Sequence, residues 1–171
     1  MSEFTRQLKL SDILTLQSKQ EIRRNISAQP AECEALAKRF DLEAVNNLNA
    51  EIIIHPWNKS GVRVSGTINA DVIQRCVVSL KPIEQKLCEN FVSFFERLDT
   101  RHEEVNIDTP VHIEDPEDIT PEGIDIGELV AQQLSLVLDP YPHIPGAVLP
   151  ESTNTTMPMS RKSPFAILQK Q

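Results

Sequence analysis

Three cysteines, four histidines and a crowd of carboxylates are the residues of this 171-residue chain whose types could do chemistry. Cys33, Cys76 and Cys88 form an odd, sparse set, which argues against a disulfide framework. A tetrahedral zinc site takes four good ligands, and one cysteine with scattered histidines does not supply them. Cys76 and Cys88 lie twelve residues apart, a spacing that lets two thiols face each other across a hairpin. A zinc- or thiol-dependent regulatory protein using that pair is therefore the alternative reading, against a buried apolar cysteine on a strand. His55, His102, His112 and His143 are isolated, with no H-E-x-x-H spacing. His102, His112 and Glu114 are the one set that could gather at a sheet end, and solvated loop residues explain them as well. No G-x-S-x-G, P-loop or dinucleotide pattern occurs, and five glycines leave little for a phosphate cradle. The expectation is no enzyme, no cofactor, no metal and no small-molecule substrate.

Binding chemistry is better supplied, because the charge is uneven. Residues 1–101 carry 14 Lys and Arg against 13 Asp and Glu, whereas 102–153 carry 12 acids and no Lys or Arg. Residues 154–171 carry three basic residues and no acid, within a chain of net charge −8. A near-neutral body, an acidic segment and a small basic tail follow. Glu114, Asp115, Glu117 and Asp118 crowd the acidic segment and are candidates to meet a basic protein. Arg63, Arg75 and Lys81 share the outward parity of one strand, with Lys59 and Lys86 in nearby turns. They are candidates to meet RNA phosphates, although an ordinary solvated strand face accounts for them equally.

The element that must position these groups spans 61–98. Val62, Val64, Ile68, Ala70 and Val72 alternate with Arg63, Ser65, Thr67, Asn69 and Asp71, the signature of a half-buried strand. Continuing the even positions adds Cys76, Val78 and Leu80, with Gln74 alone breaking the rule. Gly66 marks a bulge or a close backbone approach, and Lys81-Pro82 stops the strand. The run 87–98 reads as a further meander strand.

Earlier elements follow from the same periods. Phe4, Leu8 and Leu10 predict a first strand over 4–10, turned by Ser11-Asp12, and Ile22, Ile26 and Ala28 predict a second over 21–28. Pro30 suits a helix start, and Cys33, Leu36, Ala37 and Phe40 fall on one helical stripe. Leu48, Ala50, Ile52 and Ile54 predict a strand closed by Trp57, with Asn58-Lys59-Ser60-Gly61 turning it into a hairpin.

Later, Val105, Ile107, Val111 and Ile113 predict an edge strand, followed by a polar, proline-punctuated loop over 114–123. Asp125 three residues before Glu128 resembles a capping box, ahead of a helical stripe of Ile126, Val130, Leu134, Val137 and Leu138. Residues 141–146 should lie extended over the sheet, with Tyr141 packed. The fold class is α+β: a mostly antiparallel meander of about five or six strands covered by two helices. One domain is expected over 1–149, then a linker over 150–162 and an apolar docking peptide over 163–171 that presents Phe165 and Leu168. No run of eighteen apolar residues is present, so no membrane partner is expected. The N-terminus lacks an apolar signal core, which places the chain in the cytoplasm.

Three segments, VRVSGTINADVIQRCVVSLKPIEQ, IDIGELVAQQLSLVLDPYPHIPG and SPFAIL, together resemble the YceD family of large-ribosomal-RNA-subunit accumulation proteins. The pattern is closest to its alphaproteobacterial-type branch and covers roughly residues 45–168. The resemblance implies a bacterial, non-catalytic ribosome-assembly factor that supports accumulation of 23S ribosomal RNA. Its expected partners are large-subunit ribosomal RNA, a basic large-subunit ribosomal protein, or both. One departure stands out: where many members resemble C-x-x-C before Leu-x-Pro, this chain has Cys76 and then Ser79.

Overall fold

Period-two alternation lets one face of a long strand stay dry while the other stays wet, and three long strands here do so. The computed structural model describes residues 4–16, 20–58, 60–97 and 116–148. Strands β1 (Gln7–Lys9), β2 (Ile22–Ser27), β3 (Ala44–Trp57), β4 (Gly61–Arg75), β5 (Pro82–Glu96), β6 (Glu117–Asp118) and β7 (Gly123–Asp125) are joined by three helices. These are α1 (Leu10–Leu14), α2 (Pro30–Arg39) and α3 (Ile126–Val137). A five-stranded sheet runs β2-β3-β4-β5-β6, and β1 pairs separately with β7. The α+β class is as expected. The sheet is mixed, because β6 runs parallel to β5 through Phe95↔Glu117 and Glu96↔Asp118.

Leu48, Ala50, Ile52 and Ile54 on β3, with Val62, Val64, Ile68 and Val72 on β4, are buried on the inner face. Covering them are Leu36 and Ala37 of α2 and Leu129, Val130 and Leu134 of α3, all within one apolar cluster. Each fully buried aliphatic side chain contributes roughly 1.5–3 kcal/mol. Gly66 marks a close approach: a Cβ there would lie 2.5 Å from the Glu51 carbonyl oxygen and 2.8 Å from the Phe91 ring.

The helices end and begin where their flanking residues allow. Gln29 and Glu32 form a reciprocal capping box ahead of Pro30. Asp125 caps α3 by accepting from the N–H groups of Gly127 and Glu128, and its same oxygen accepts from Arg6 N–H at 2.8 Å. Only half of the second capping box forms, since the Glu128 carboxylate instead takes the Arg39 guanidinium at 2.6 and 2.8 Å. The N-terminal segment is thereby stitched to α3, and Arg6 reaches α2 through two 2.8 Å bonds to Glu32. That hydrogen bond holds the Glu32 carboxyl below its ordinary range.

Several expectations change. The first strand shortens to Gln7–Lys9, and the expected turn at Ser11-Asp12 is the short helix α1. Strand β4 ends at Arg75, so Val78 and Leu80 leave the dry face: Val78 is half-buried and Leu80 exposed. Pro82 opens β5 rather than closing β4, at a first position where a missing N–H is tolerated. The loop expected over 114–123 contains β6, and Ile119 N–H bonds to the Glu96 carbonyl at 2.9 Å. Tyr141 is 74% exposed rather than packed. The strand predicted over 105–113, the linker and the C-terminal peptide lie outside the described residues.

Candidate protein-docking site

One polar residue on the dry face starts the site. Gln74 continues the inward parity of β4 and is 7% exposed. Its Nε2 donates to the Asp139 backbone carbonyl at 3.0 Å. A carbonyl can only accept, so this bond fixes which end of the amide is oxygen. The remaining Oε1 is buried and has no hydrogen-bond partner among the described residues. Gln74 is one of the residues around a cleft of about 440 Å³ whose apolar walls include Phe40, Leu42, Leu80, Leu138 and Pro142.

Local sequence explains why the cleft sits there. Phe40 is the C-cap of helix α2, and Asp41 follows with φ 54, a left-handed position that a short polar side chain tolerates. Leu42 N–H then bonds back to the Ala37 carbonyl at 2.9 Å. Helix α3 ends at Leu138, before Asp139-Pro140. Both helices therefore present their C-terminal ends to the cleft, where the macrodipole carries partial negative charge, offset at α2 by Lys38 and Arg39 in its last turn. The last turn of α3 holds no basic residue. Asp41 and Asp139 stand on the rim, and one Asp139 oxygen accepts Tyr141 N–H at 2.9 Å.

Cys76 lies under the same floor. It has no exposed surface, although it sits in the β4–β5 turn. Its Sγ accepts the Ser79 N–H at 3.3 Å and the Ile144 N–H at 3.4 Å. Ser79, together with the N–H groups of Ile144 and Val78, lowers the thiol to about 6, against burial, which pushes it up. Leu80 closes this turn with φ 59, a strained conformation for a leucine. Cys76 is thus buried, as expected, but among amides rather than in the apolar cluster.

The other expected residues are dispersed. Cys88 is exposed and pairs with Asn69, six ladder positions from the Arg75↔Pro82 pair beside Cys76. The two thiols therefore stand about 20 Å apart along the strands, which removes the geometry for a Cys76–Cys88 site. Among the described residues no group of three His, Cys, Asp or Glu is placed to hold a metal. Arg63 pairs with His55 and Phe94 near one end of β4, while Arg75 ends the strand. The Arg75 guanidinium bonds Glu43 at 2.6 Å, and Lys81 lies in the following turn. Glu117 and Asp118 form β6 and are exposed. Lys59, His102, His112, Glu114, Asp115, Phe165 and Leu168 lie outside the described residues.

Sequence reasoning noticed Gln74 only as a broken alternation; a lone amide on a dry face was the available signal for the cleft. No family model matches this chain, and neither does any curated protein or solved structure. Among the described residues no helix is long and apolar enough to cross a membrane.

Proposed function

We propose that this chain is a non-catalytic assembly factor for the large ribosomal subunit and that it works by binding a basic ribosomal protein. The ribosomal assignment rests on the resemblance of the three segments quoted above. The choice of protein over RNA rests on one observation: of the residues offered for phosphate only Arg75 and Lys81 meet, at the β4–β5 turn, and Arg63 stands far from both. Arg63 and Arg75 are twelve residues apart on one strand, about 40 Å at strand rise, and Arg75 is already paired with Glu43. Phosphate neutralisation depends on clustered cations. Negative groups do gather, around the cleft as the Asp41 and Asp139 carboxylates and in sequence over 102–153.

The test immobilises the full chain and offers proteins extracted from large subunits, at low and physiological salt, beside a gel shift with purified large-subunit RNA. Retention of basic proteins that weakens with salt, with no RNA shift, is the expected result. Replacing Glu114, Asp115, Glu117 and Asp118 with their amides should slow that association at low salt. A salt-dependent RNA shift with no protein retained would transfer the function to the basic strand face.

A further inference from the structure

Strand β5 is 15 residues long, and on the side away from β4 it is paired only at its end, where β6 meets Phe95 and Glu96. No other strand of the described residues pairs with that edge. One bond fixes which backbone groups the edge presents. Ile119 N–H donates to the Glu96 carbonyl at 2.9 Å, so Glu96 turns its backbone away from β4. The β4–β5 register runs without a shift from Gly61↔Glu96 to Arg75↔Pro82. Backbone direction alternates along a strand, so Glu84, Lys86, Cys88, Asn90 and Val92 turn N–H and C=O to the same open side. Such a row of donors and acceptors is a template for another strand.

The side chains along the edge select the strand that fits. A second copy of β5 laid antiparallel about a two-fold axis must pair residues whose side chains share a face, so the axis passes through one residue. Centred on 84, 86 or 89, it opposes Glu84, Lys86 or Glu89 to itself. Centred on 88, it sets Leu87 against Glu89, and centred on 87 it opposes no charge to its opposite. Centred on Gln85, it sets Glu84 against Lys86 twice on the outer face and Ile83 against Leu87 twice on the inner face. Glu84 and Lys86 are exposed, while Ile83 and Leu87 are half-buried. Neither charge has an ion-pair partner among the described residues.

We propose that the open edge of β5 pairs with β5 of a second copy of this chain, antiparallel and centred on Gln85, so that one sheet runs through a dimer. Glu84 and Lys86 exchange both backbone hydrogen bonds with Lys86 and Glu84 of the second copy. Cys88 N–H reaches the Pro82 carbonyl, and Pro82 has no N–H to return, which ends the ladder. Opposite charges and aliphatic pairs across the strands support this register, and like charges oppose the alternatives. The contact is confined to one strand edge, so association is reversible and depends on concentration. It stands apart from the identity of the ribosomal partner.

Sedimentation equilibrium of the full chain is the test. Wild type should pass from monomer to dimer as concentration rises. Glu84→Lys and Lys86→Glu each place like charges opposite one another and should each weaken self-association by about tenfold or more. Mixed in equal amounts, the two variants restore both charge pairs and should form a heterodimer of wild-type strength. Gln85→Cys on a Cys88→Ala background should cross-link between copies on mild oxidation. Residue 85 meets its own copy at a non-hydrogen-bonded position, where Cα atoms stand about 4.5 Å apart. Amide exchange at Glu84, Lys86 and Cys88 should slow as concentration rises. A wild-type chain that stays monomeric at its highest soluble concentration would overturn the proposal. So would a mixture that fails to associate while both variants keep the wild-type circular dichroism. Protection of the three amides that is independent of concentration would mean that the chain covers this edge itself, and preferential cross-linking of wild type through Cys88 would overturn the register.

Discussion

The outward face of the long sheet and the cleft at its rim are both lined with polar groups, yet among the described residues the buried polar atoms without a partner, Gln74 Oε1 and Ser79 Oγ, lie at the cleft and the turn beside it. On the face, Thr67 donates to Asn90 at 2.6 Å and Ser65 donates to the Ile53 carbonyl at 3.4 Å. Arg23 pairs with Glu21 there and His55 lies 3.6 Å from the same carboxylate. These groups answer one another and otherwise meet water. In the cleft, Gln74 spends its donor on Asp139 and keeps a buried acceptor open, while Leu80 and Asp41 hold left-handed backbone. An open buried acceptor costs roughly 1–3 kcal/mol, and backbone outliers of this kind cost about 1–3 kcal/mol. Stability is conserved on the face and spent in the cleft, the distribution expected of a scaffold and a site.

The largest effect should come from breaking the scaffold at its narrowest point. Gly66→Ala puts a Cβ 2.5 Å from the Glu51 carbonyl oxygen and 2.8 Å from Phe91. The first of these is backbone and cannot swing away. The expected loss is about 2–3 kcal/mol, read as a lower urea midpoint with unchanged slope. A loss under half a kcal/mol would mean that β3 and β4 give way easily, and the face would no longer qualify as rigid scaffolding.

The opposite sign is expected in the cleft. Gln74→Leu removes the unpaired Oε1 and adds apolar surface where Phe40, Leu42 and Leu138 already stand. It forfeits one bond to Asp139, whose carbonyl lies in an exposed residue that water can reach. The net expectation is a gain of about 1 kcal/mol in unfolding free energy. A stabler variant is the mark of a polar group held there at the expense of stability. A destabilisation of 2 kcal/mol or more would place Gln74 among structural residues instead.

Much of the scaffold could be read from residue order, and the cleft could not, for a physical reason. Alternation through 62–72 located the inner face, because period two is set within one strand. The stripe of Cys33, Leu36 and Ala37 located α2 in the same way, and all three are buried. The limits of β4 were misread because Cys76, Val78 and Leu80 keep the parity while the backbone turns back on itself. Cys76 N–H bonds the Lys81 carbonyl and Leu80 N–H bonds the Cys76 carbonyl, both at 2.9 Å. The cleft joins Asp41, Gln74 and Asp139, which are far apart in sequence, so it depends on how two helix ends meet one strand end. A single polar residue on a dry face hinted at it without naming its neighbours.

A pH titration sharpens the contrast further. Cys76 in the folded chain sits at about 6, below its ordinary value near 9. A depressed acid stabilises the fold above its unfolded value, and that contribution is lost as pH falls through the folded value. Unfolding free energy should therefore decline as pH drops from about 9 to about 6. Cys76→Ala should flatten that window, whereas Cys88→Ala, on the exposed face, should leave it unchanged. Identical pH profiles for wild type and Cys76→Ala would remove the thiolate from beneath the cleft.

The smallest effect should come from stripping the face of its candidate cations. Arg63, Arg75 and Lys81 replaced together by glutamine remove one ion pair, that of Arg75 with Glu43, whose side chains are 61% and 38% exposed. Exposed pairs contribute about 0–1 kcal/mol, so a change of a few tenths is expected. Their mutual separation sets the effect on RNA. Arg63 and Arg75 stand about 40 Å apart at strand rise, whereas screening at physiological salt acts within about 8 Å. Arg63 then meets phosphate apart from Arg75 and Lys81, which share the β4–β5 turn, and one or two released counterions give a shallow dependence of log affinity on log salt, with a slope magnitude of about 1–2. Retention of basic ribosomal proteins should be the same for the triple variant and wild type. A steep RNA salt slope in wild type, abolished in the triple variant, would show that the face collects cations beyond these three and would reverse the comparison.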